Sequence, residues 1–493
     1  MAVIHPRIMR SLAVSAPVVR ILAVLLLVLA VLMVVPLIVL TLEGDPDRMA
    51  FLLSIAVVAG AALTMLLITR GVEILLRPRQ MFILTTLSWV LVSACASLPL
   101  ILGAPQLSFT DAVFESISAI TTTGSTVLVG IDDLSDGLKL WRGLMQWLGG
   151  IGIIVMAIAI LPFLKVGGMR LFQTESSDWS DKVLPRAGGI AKASGAIYLG
   201  GTLLAMLTYW LAGMTPLDAV VHAMSSMATG GFANSDASFG VYQDRPLILW
   251  LASFFMLCGA LPFVLFIRAL RDTPQVLWQD QQVRGLLGLL LVVILGLTLY
   301  RVVGGVAFFE ALTQVAFNVI SVVTTTGYAS DDYTQWGPLI VAAFFYLTFV
   351  GGCSGSTSGG MKIFRFQIGA IMLFTQLRHL VHAQGVFAQR YNGNPLSDEV
   401  VRGVIAFSFF FFLTIAGLAL GLALLGLDLV TALSGAATAV ANVGPGLGPI
   451  IGPAGNFAPL PDAAKWLLSL GMLMGRLEIL TVLVLLTPTF WRK

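Results

Sequence analysis

The chain contains several apolar runs that are long enough to cross a lipid bilayer, for example residues Ile21 to Leu42. A helix needs about 20 predominantly apolar residues to cross the hydrocarbon core. Because lipid offers no hydrogen-bond partners, a spanning backbone must satisfy its own polar groups, and a long apolar run does so as an α-helix. Only 11% of the 493 residues are charged, against about a quarter in soluble domains. The sequence therefore predicts an all-α polytopic membrane protein.

The hydropathy pattern predicts ten spanning helices, of which the eighth is interrupted. The first apolar run is too long for a signal-peptide core and has no small-residue cleavage site close behind it, so we expect it to be retained. The predicted spans cover residues 19–42, 49–69, 81–104, 138–164, 190–214, 246–270, 284–304, 337–384, 399–427 and 463–489.

The distribution of basic residues predicts the orientation of these spans. With a cytoplasmic N-terminus, 21 of the 28 Lys and Arg residues fall on the inner side, 6 on the outer side, and Arg476 within a span. Cytoplasmic loops carry the excess of Lys and Arg, so we expect both termini in the cytoplasm. Several acidic residues fall on the outer face, where they are either ordinary solubilising residues or the source of a field that concentrates cations. They are Asp132, Asp133, Asp136, Asp331 and Asp332.

Four similar segments that are too short to cross the membrane lie between pairs of predicted spans, and we call them repeat segments 1 to 4. Each is fourteen residues long and ends on a glycine, and successive glycines are 107, 96 and 117 residues apart. Such repetition predicts internal symmetry, with four span–segment–span units around one axis. The segments read DAVFESISAITTTG (Asp111–Gly124), DAVVHAMSSMATGG (Asp218–Gly231), QVAFNVISVVTTTG (Gln314–Gly327) and TALSGAATAVANVG (Thr431–Gly444).

Each repeat segment predicts a short helix that enters from outside, followed by a polar loop that returns. Non-helical backbone at membrane depth is tolerated where it lines a water-filled path or is buried in protein. Four such loops predict a ring of carbonyl oxygens that replaces the hydration shell of a cation and favours K⁺ over divalent ions. Helix C-termini near the centre also favour a cation, and glycine permits the positive φ that turns successive carbonyls inward. A single loop of this kind is equally consistent with a polar turn, so the prediction depends on the four copies.

A glycine-rich loop, GGCSGSTSGGMK (Gly351–Lys362), interrupts the eighth predicted span. It lacks the Gly-Lys-Ser/Thr of a phosphate-binding loop. We expect it to lie under the carbonyl ring and to move so that it blocks or opens the path; the alternative is a static packing kink.

A mid-span arginine, Arg476, is the other unusual feature of the spans. A charge at this depth normally faces a cavity or a partner, and Glu478 is too close along a helix to face it. Arg476 is therefore either a barrier beside the path, a latch for the glycine-rich loop, or half of a structural ion pair between helices.

A secondary transporter and a membrane-embedded enzyme are the alternatives to a gated pore. A proton- or sodium-coupled secondary transporter with alternating access is the alternative transport mechanism, although such folds usually show two repeats. A membrane-embedded enzyme would need a nucleophile or a metal set, and no such spacing is present. We therefore do not expect an enzyme. The four histidines are scattered along the sequence, at His5, His222, His379 and His382.

Two further stretches, NVGPGLGP from Asn442 and GRLEILTVLVLLTP from Gly475, complete a set of motifs with the repeat segments and the glycine-rich loop. Through this set the chain resembles the Trk/Ktr/HKT superfamily of potassium transporters over nearly its whole length. Its two extra N-terminal spans are similar to those of the bacterial TrkH branch. The resemblance implies potassium uptake, with K⁺ as the transported ion and no cofactor in this chain. It also implies two N-terminal transmembrane helices in 1–75 and pore repeats in 76–185, 186–280, 281–395 and 396–493.

The resemblance implies roles for individual residues. Relatives with serine at the first filter glycine pass sodium better, so Gly124 implies a preference for potassium. The departures ATGGF and NVGPG imply a filter without fourfold symmetry and with less strict selectivity than a tetrameric channel. The implied backbone ligands of potassium are Thr122, Thr123, Gly124, Thr229, Gly230, Gly231, Thr325, Thr326, Gly327, Asn442, Val443 and Gly444. The implied gate comprises Gly351, Gly352, Cys353, Ser354, Gly355, Ser356, Thr357, Ser358, Gly359, Gly360, Lys362 and the cavity arginine Arg476.

The resemblance finally implies the setting in which the protein works. Such proteins are homodimers in the bacterial inner membrane, and they bind a cytoplasmic ring of TrkA-type regulatory subunits that senses nucleotides. No part of this sequence suggests a nucleotide-binding domain, which agrees with a separate regulator. The small net charge of +3 does not suggest a nucleic-acid partner.

Overall fold

A computed structural model of the protein describes residues 6–73, 76–159 and 187–492. Regular structure in these ranges is almost entirely helical, with two pairs of two-residue strands. Seven described helices are long and apolar enough to cross a membrane, or up to nine if each of two bent pairs counts as one span. The all-α polytopic membrane fold is thus confirmed. The end of predicted span 138–164 and most of the basic loop 165–192 lie outside the described residues.

The N-terminal helices and the first repeat form one packed group. Helices α1, α2, α3 and α6 enclose an apolar core, in which the rings of Phe51 and Trp141 meet edge to face at 6.0 Å. The elements are α1 (Pro6–Glu43), α2 (Arg48–Ile68), α3 (Pro78–Ala96), α4 (Leu98–Leu102), α5 (Phe109–Ile120), the 3₁₀ turn Ile131–Asp133 and α6 (Asp136–Ala159).

The second and third repeats each contain a long helix, a short pore-type helix, a return loop and a closing span that is broken into shorter elements. The second comprises α7 (Ala187–Leu211), α8 (Pro216–Ala228), the 3₁₀ turn Ser238–Tyr242, α9 (Pro246–Ala260), α10 (Phe263–Arg271) and α11 (Gln275–Gln279). The third comprises α12 (Gln281–Val303), α13 (Phe308–Val323), the 3₁₀ turn Tyr333–Trp336, α14 (Pro338–Leu347), β1 (Val350–Gly351), β2 (Met361–Lys362) and α15 (Ile363–Val381).

A short hairpin connects the third repeat to the fourth. Its strands, β3 (Arg390–Tyr391) and β4 (Asn394–Pro395), are antiparallel. The fourth repeat comprises α16 (Asp398–Leu424), α17 (Leu429–Ala441), α18 (Gly448–Ile451), α19 (Asp462–Arg476), α20 (Ile479–Leu486) and α21 (Pro488–Trp491).

Two predicted spans, 246–270 and 463–489, are divided into two helices each, so the prediction of continuous helices was wrong there. α9 and α10 meet at 96°, and α19 and α20 at 112°. At the first break Leu261 is extended and precedes Pro262, and a residue before proline is driven out of the helical region. At the second break Glu478 adopts a left-handed conformation with φ of 60°, which a helix cannot accommodate. Hydropathy does not register either backbone break.

The four short helices α5, α8, α13 and α17 stop three or four residues before the terminal glycines, and α5, α8 and α17 begin at polar caps. Three of their N-cap side chains, Ser108, Thr215 and Asp428, accept a hydrogen bond from the backbone N–H three residues on. Hydrogen bonds from Thr431 hold the pKa of the exposed Asp428 carboxyl below its usual range. Such caps satisfy donors that a helix start leaves free, so they fix where α5, α8 and α17 begin.

Candidate functional site

The terminal glycines of the four repeat segments lie around a common centre. Gly124, Gly231, Gly327 and Gly444 all line one cavity of about 300 Å³. The chain leaves three of these glycines, Gly124, Gly231 and Gly444, through loops that form the wall of this cavity, including Thr126, Ala233 and Pro445. Four segments separated by about a hundred residues each therefore converge on a single opening.

The four loops touch their neighbours in chain order and close into a ring. A methyl group built on any terminal glycine would lie within 3.0 Å of a carbonyl oxygen of the adjacent loop. That oxygen belongs in every case to the residue just before the neighbouring loop's terminal glycine. The pairs are Gly124 with Gly230, Gly231 with Thr326, Gly327 with Val443, and Gly444 with Thr123.

All four loops also share one backbone pattern. The terminal glycines have φ between 82° and 110°, and the residue two positions earlier is left-handed as well, while the residue between them is not. Residues of alternating hand turn successive peptide groups to the same side, as in known anion and cation nests. Carbonyl oxygens of consecutive residues then face one direction, which is the requirement for a carbonyl-lined ion path. The left-handed residues are Thr122, Thr229, Thr325 and Asn442.

Side chains behind the ring support its backbone. We number the loops 1 to 4 after the repeat segments that contain them. In loop 1 the hydroxyls of Thr121 and Thr123 are 2.7 Å apart. In loop 3 the equivalent hydroxyls of Thr324 and Thr326 are 2.8 Å apart. Asn442 of loop 4 donates to the Thr123 hydroxyl at 2.9 Å. Loops 1 and 3 are thus braced internally, and loops 1 and 4 are braced to each other across a segment boundary.

A buried ion pair, Glu115 with Arg142, fixes the exits of loops 1 and 2, and the sequence reading missed it. The Nε–Oε1 distance is 3.1 Å and both side chains are almost fully buried. The Glu115 carboxylate accepts from the Thr126 hydroxyl and the Val127 N–H, and Arg142 donates to the Ala233 carbonyl at 2.9 Å. The carboxylate of Glu115 inside an apolar short helix is the sequence signal that indicates such a partner, because a buried charge is retained when paired.

The glycine-rich loop crosses the ring on the side opposite the cavity. The Thr357 hydroxyl is 3.2 Å from that of Thr229, and the Gly359 N–H donates to the Thr325 hydroxyl at 2.6 Å. A methyl group on Gly359 would lie 2.6 Å from the carbonyl oxygen of Ala441. The loop therefore contacts three of the four repeats just below the left-handed residues of the ring.

Short strands and backbone hydrogen bonds hold the two ends of this loop. β1 and β2 pair in parallel, so the chain leaves and re-enters at one place. Every residue from Gly351 to Lys362 is buried or half-buried. Within the loop, the Gly352 N–H donates to the Ser358 hydroxyl, the Ser356 hydroxyl to the Cys353 carbonyl, and the Lys362 ammonium to the Ser358 carbonyl. Three hydrogen bonds tie the loop to other elements: Cys353 N–H to the Ala260 carbonyl, Ser354 N–H to Gln282, and Phe263 N–H to the Gly355 carbonyl. Gly360 lies against Gly351 and the methyl group of Thr325.

Arg476 reaches the glycine-rich loop rather than an acid. Its Nη1 donates to the Thr357 carbonyl at 2.7 Å. Glu478 instead pairs with Arg365, with an Nη2–Oε2 distance of 2.8 Å. Within the described ranges Arg476 has no carboxylate within 4.0 Å, so its contact there is a hydrogen bond to the loop backbone and not an ion pair.

Comparison with known proteins identifies the family. A family model described as "TrkH: Cation transport protein" matches residues 47–493. The chain belongs to the TrkH family. The family assignment confirms the predicted resemblance and the prediction that the chain is a transport protein rather than an enzyme.

In the described part of the chain no three His, Cys, Asp or Glu side chains gather where they could hold a metal ion.

Several members of the TrkH family are similar to this chain over most of its length. The "Trk system potassium uptake protein TrkI" of Halomonas elongata is 71% identical over 99% of both chains. The "Trk system potassium uptake protein TrkH" of Vibrio parahaemolyticus is 39% identical over 85% of this chain and 87% of its own. The crystal structure of the potassium transporter TrkH from Vibrio parahaemolyticus matches with a TM-score of 0.89 and 34% identity, covering 97% of this chain and 99% of that one.

Proposed function

We propose that the protein takes up potassium through a path along the axis of the ring. The observation that carries the proposal is the closed circle of four loops with one shared backbone pattern. Relatives named as potassium uptake proteins, one of them 71% identical, support the choice of ion. Peptide oxygens suit a weakly hydrated monovalent cation, because they replace its water without adding a formal charge.

In this proposal the ion is bound by backbone oxygens of three consecutive residues in each loop. Each of four pore repeats contributes one loop, and residues 1–75 add two helices outside the ring. The repeats cover residues 76–185, 186–280, 281–395 and 396–493. The supporting observation is that the same carbonyl in each loop approaches the preceding loop's glycine. The proposed ligands are Thr122, Thr123, Gly124, Thr229, Gly230, Gly231, Thr325, Thr326, Gly327, Asn442, Val443 and Gly444.

The glycine-rich loop, in the same proposal, is the gate. Its contacts with three repeats support a peptide segment that lies across the path, and the hydrogen bond from Arg476 to Thr357 would hold it there. Glycines at 351, 352, 355, 359 and 360 give the loop the backbone freedom that a moving segment needs. Movement of this loop would open the path without movement of the ring.

We further propose the setting implied by the basic residues and by the named relatives. Both termini face the cytoplasm of a bacterium, and the protein lies in the inner membrane as a homodimer. A TrkA-type subunit that senses nucleotides docks on the cytoplasmic side and controls the gate. The relatives' description as parts of a "Trk system" supports a protein that works with other components.

Ion flux into liposomes tests the proposal. Purified protein is reconstituted, and uptake of radioactive rubidium, a potassium analogue, is compared with that of sodium at equal concentrations. We expect rubidium uptake to exceed sodium uptake, and equal or faster sodium uptake would contradict the potassium assignment. The same measurement with and without a pH gradient separates a passive path from a proton-coupled transporter, because only the latter changes its accumulation with the gradient.

A further inference from the structure

Loop 2 of the ring lacks the side chain that the other loops carry just before the terminal glycine. That position holds Thr123, Thr326 and Val443 in loops 1, 3 and 4, and Gly230 in loop 2. In loops 1 and 3 the threonine hydroxyl pairs with a second threonine three residues before the terminal glycine. In loop 2 that second position is Ala228, so loop 2 has neither partner of the pair. Its backbone must be held in another way.

The side-chain amide of Gln146, from α6 of the first repeat, fills this place. A methyl group built on Gly230 would lie 2.5 Å from Oε1 and 2.9 Å from Nε2 of Gln146. Gly230 has no positive φ, so its backbone alone would accept a larger residue. The space that a threonine side chain would occupy is thus taken by an amide from the neighbouring repeat.

Both the nitrogen and the oxygen of the Gln146 amide bind loop 2 or the helix that leads into it. Its Nε2 donates to the Gly230 carbonyl, while its Oε1 accepts from the Ser225 hydroxyl at 2.7 Å and from the Phe232 N–H at 3.1 Å. The side chain is completely buried. Because an amide offers donors and an acceptor in one rigid plane, a single group holds the peptide groups on both sides of Gly231.

We propose that Gln146 is a positioning residue for ion selection, replacing from the adjacent repeat the side chain that loop 2 lacks. The inference rests on the proposed function of the ring. A carbonyl oxygen has two lone pairs, so the Gly230 oxygen that accepts from Gln146 keeps one for the ion. Gln146 then sets where this oxygen stands relative to its three counterparts. Loss of the amide frees the loop 2 carbonyl to move, and a loosened ring discriminates less between ions of different size.

Paired substitutions test this inference in reconstituted protein, with the ratio of rubidium to sodium uptake as the readout. Gln146→Ala should lower the ratio by about tenfold, because a positioned hydrogen-bond partner is lost. Gly230→Thr alone should lower it too, since the new side chain collides with the Gln146 amide. The double variant Gln146→Ala with Gly230→Thr should recover most of the wild-type ratio, because the threonine fills the vacated space.

Two controls make the result decisive. Gln146→Glu keeps the size but removes the donor to Gly230, so it should lower the ratio even if Gln146→Ala does not fold. Gln243→Ala removes an amide that also donates to a backbone carbonyl, that of Ser330, but outside the ring, and should leave the ratio unchanged. A wild-type ratio in Gln146→Glu, or a double variant no better than either folded single variant, would overturn the inference. Absence of any rubidium preference in the wild-type protein would instead count against the proposed function.

Discussion

A single glycine, Gly124, illustrates how residue chemistry constrains the ring. Its φ of 88° is one that side chains rarely adopt, and a methyl group there would lie 2.5 Å from the Gly230 carbonyl oxygen. Gly130, a few residues later, has a similar φ of 72° but nothing within 4 Å. A side chain at either glycine would therefore strain the backbone, but only a side chain at Gly124 would also collide with the ring.

Gly124→Ser should relax ion selection, whereas Gly130→Ser should not. The serine side chain at 124 pushes against the neighbouring loop's carbonyl and displaces a proposed ligand, so sodium uptake should rise relative to rubidium uptake. Both variants carry a comparable conformational cost of roughly 1 kcal/mol, so the second controls for strain. An unchanged uptake ratio in Gly124→Ser would show that this glycine takes no part in selection.

The buried pair of Glu115 and Arg142 is a second feature at the residue scale. Glu115→Gln should lower the thermal unfolding temperature of the purified protein, since an unpaired buried Arg142 costs about 3–5 kcal/mol. Asp111→Asn breaks a more exposed pair with Lys465, whose Nζ–Oδ1 distance is 2.5 Å, and should lower the unfolding temperature less than Glu115→Gln does. Equal melting temperatures for the two variants would contradict a bracing role for Glu115.

At the scale of elements, local sequence predicted some features and missed others for identifiable reasons. The repeat segments were recognisable because a short helix followed by glycine is a local pattern that recurs four times. The breaks at Pro262 and Glu478 were missed because hydropathy averages over side chains and ignores backbone conformation. Gln146 was missed because its partners lie in the next repeat, and no local pattern reports a contact across 84 residues. Arg142 was missed because the carboxylate of Glu115 does not indicate which basic residue pairs with it.

Deletion of Gly355–Gly359 tests the glycine-rich loop as an element. The deleted residues include Thr357, which contacts both Thr229 and Arg476, so their removal should unblock the path. We expect rubidium uptake by liposomes that contain the variant to be faster than wild type in the absence of any regulatory subunit. Uptake at or below the wild-type rate from a well-folded variant would favour a static kink over a gate.

At the scale of the whole molecule, the excess of basic residues on one side predicts the orientation. Asp244 and Asp272 are exposed residues at opposite ends of the bent span formed by α9 and α10. A membrane-impermeant thiol reagent added to intact cells should label Asp244→Cys but label Asp272→Cys only after permeabilisation. The wild-type chain, whose three cysteines are buried or half-buried, gives the background. The reverse labelling pattern would place the termini outside.

The whole account depends on a cation at the centre of the ring. The most direct test is an anomalous difference map from crystals grown with thallium, a heavy analogue of potassium. We predict peaks on the axis enclosed by Gly124, Gly231, Gly327 and Gly444, at coordination distance from carbonyl oxygens of all four loops. A map with ordered loops and thallium bound only elsewhere would contradict the account.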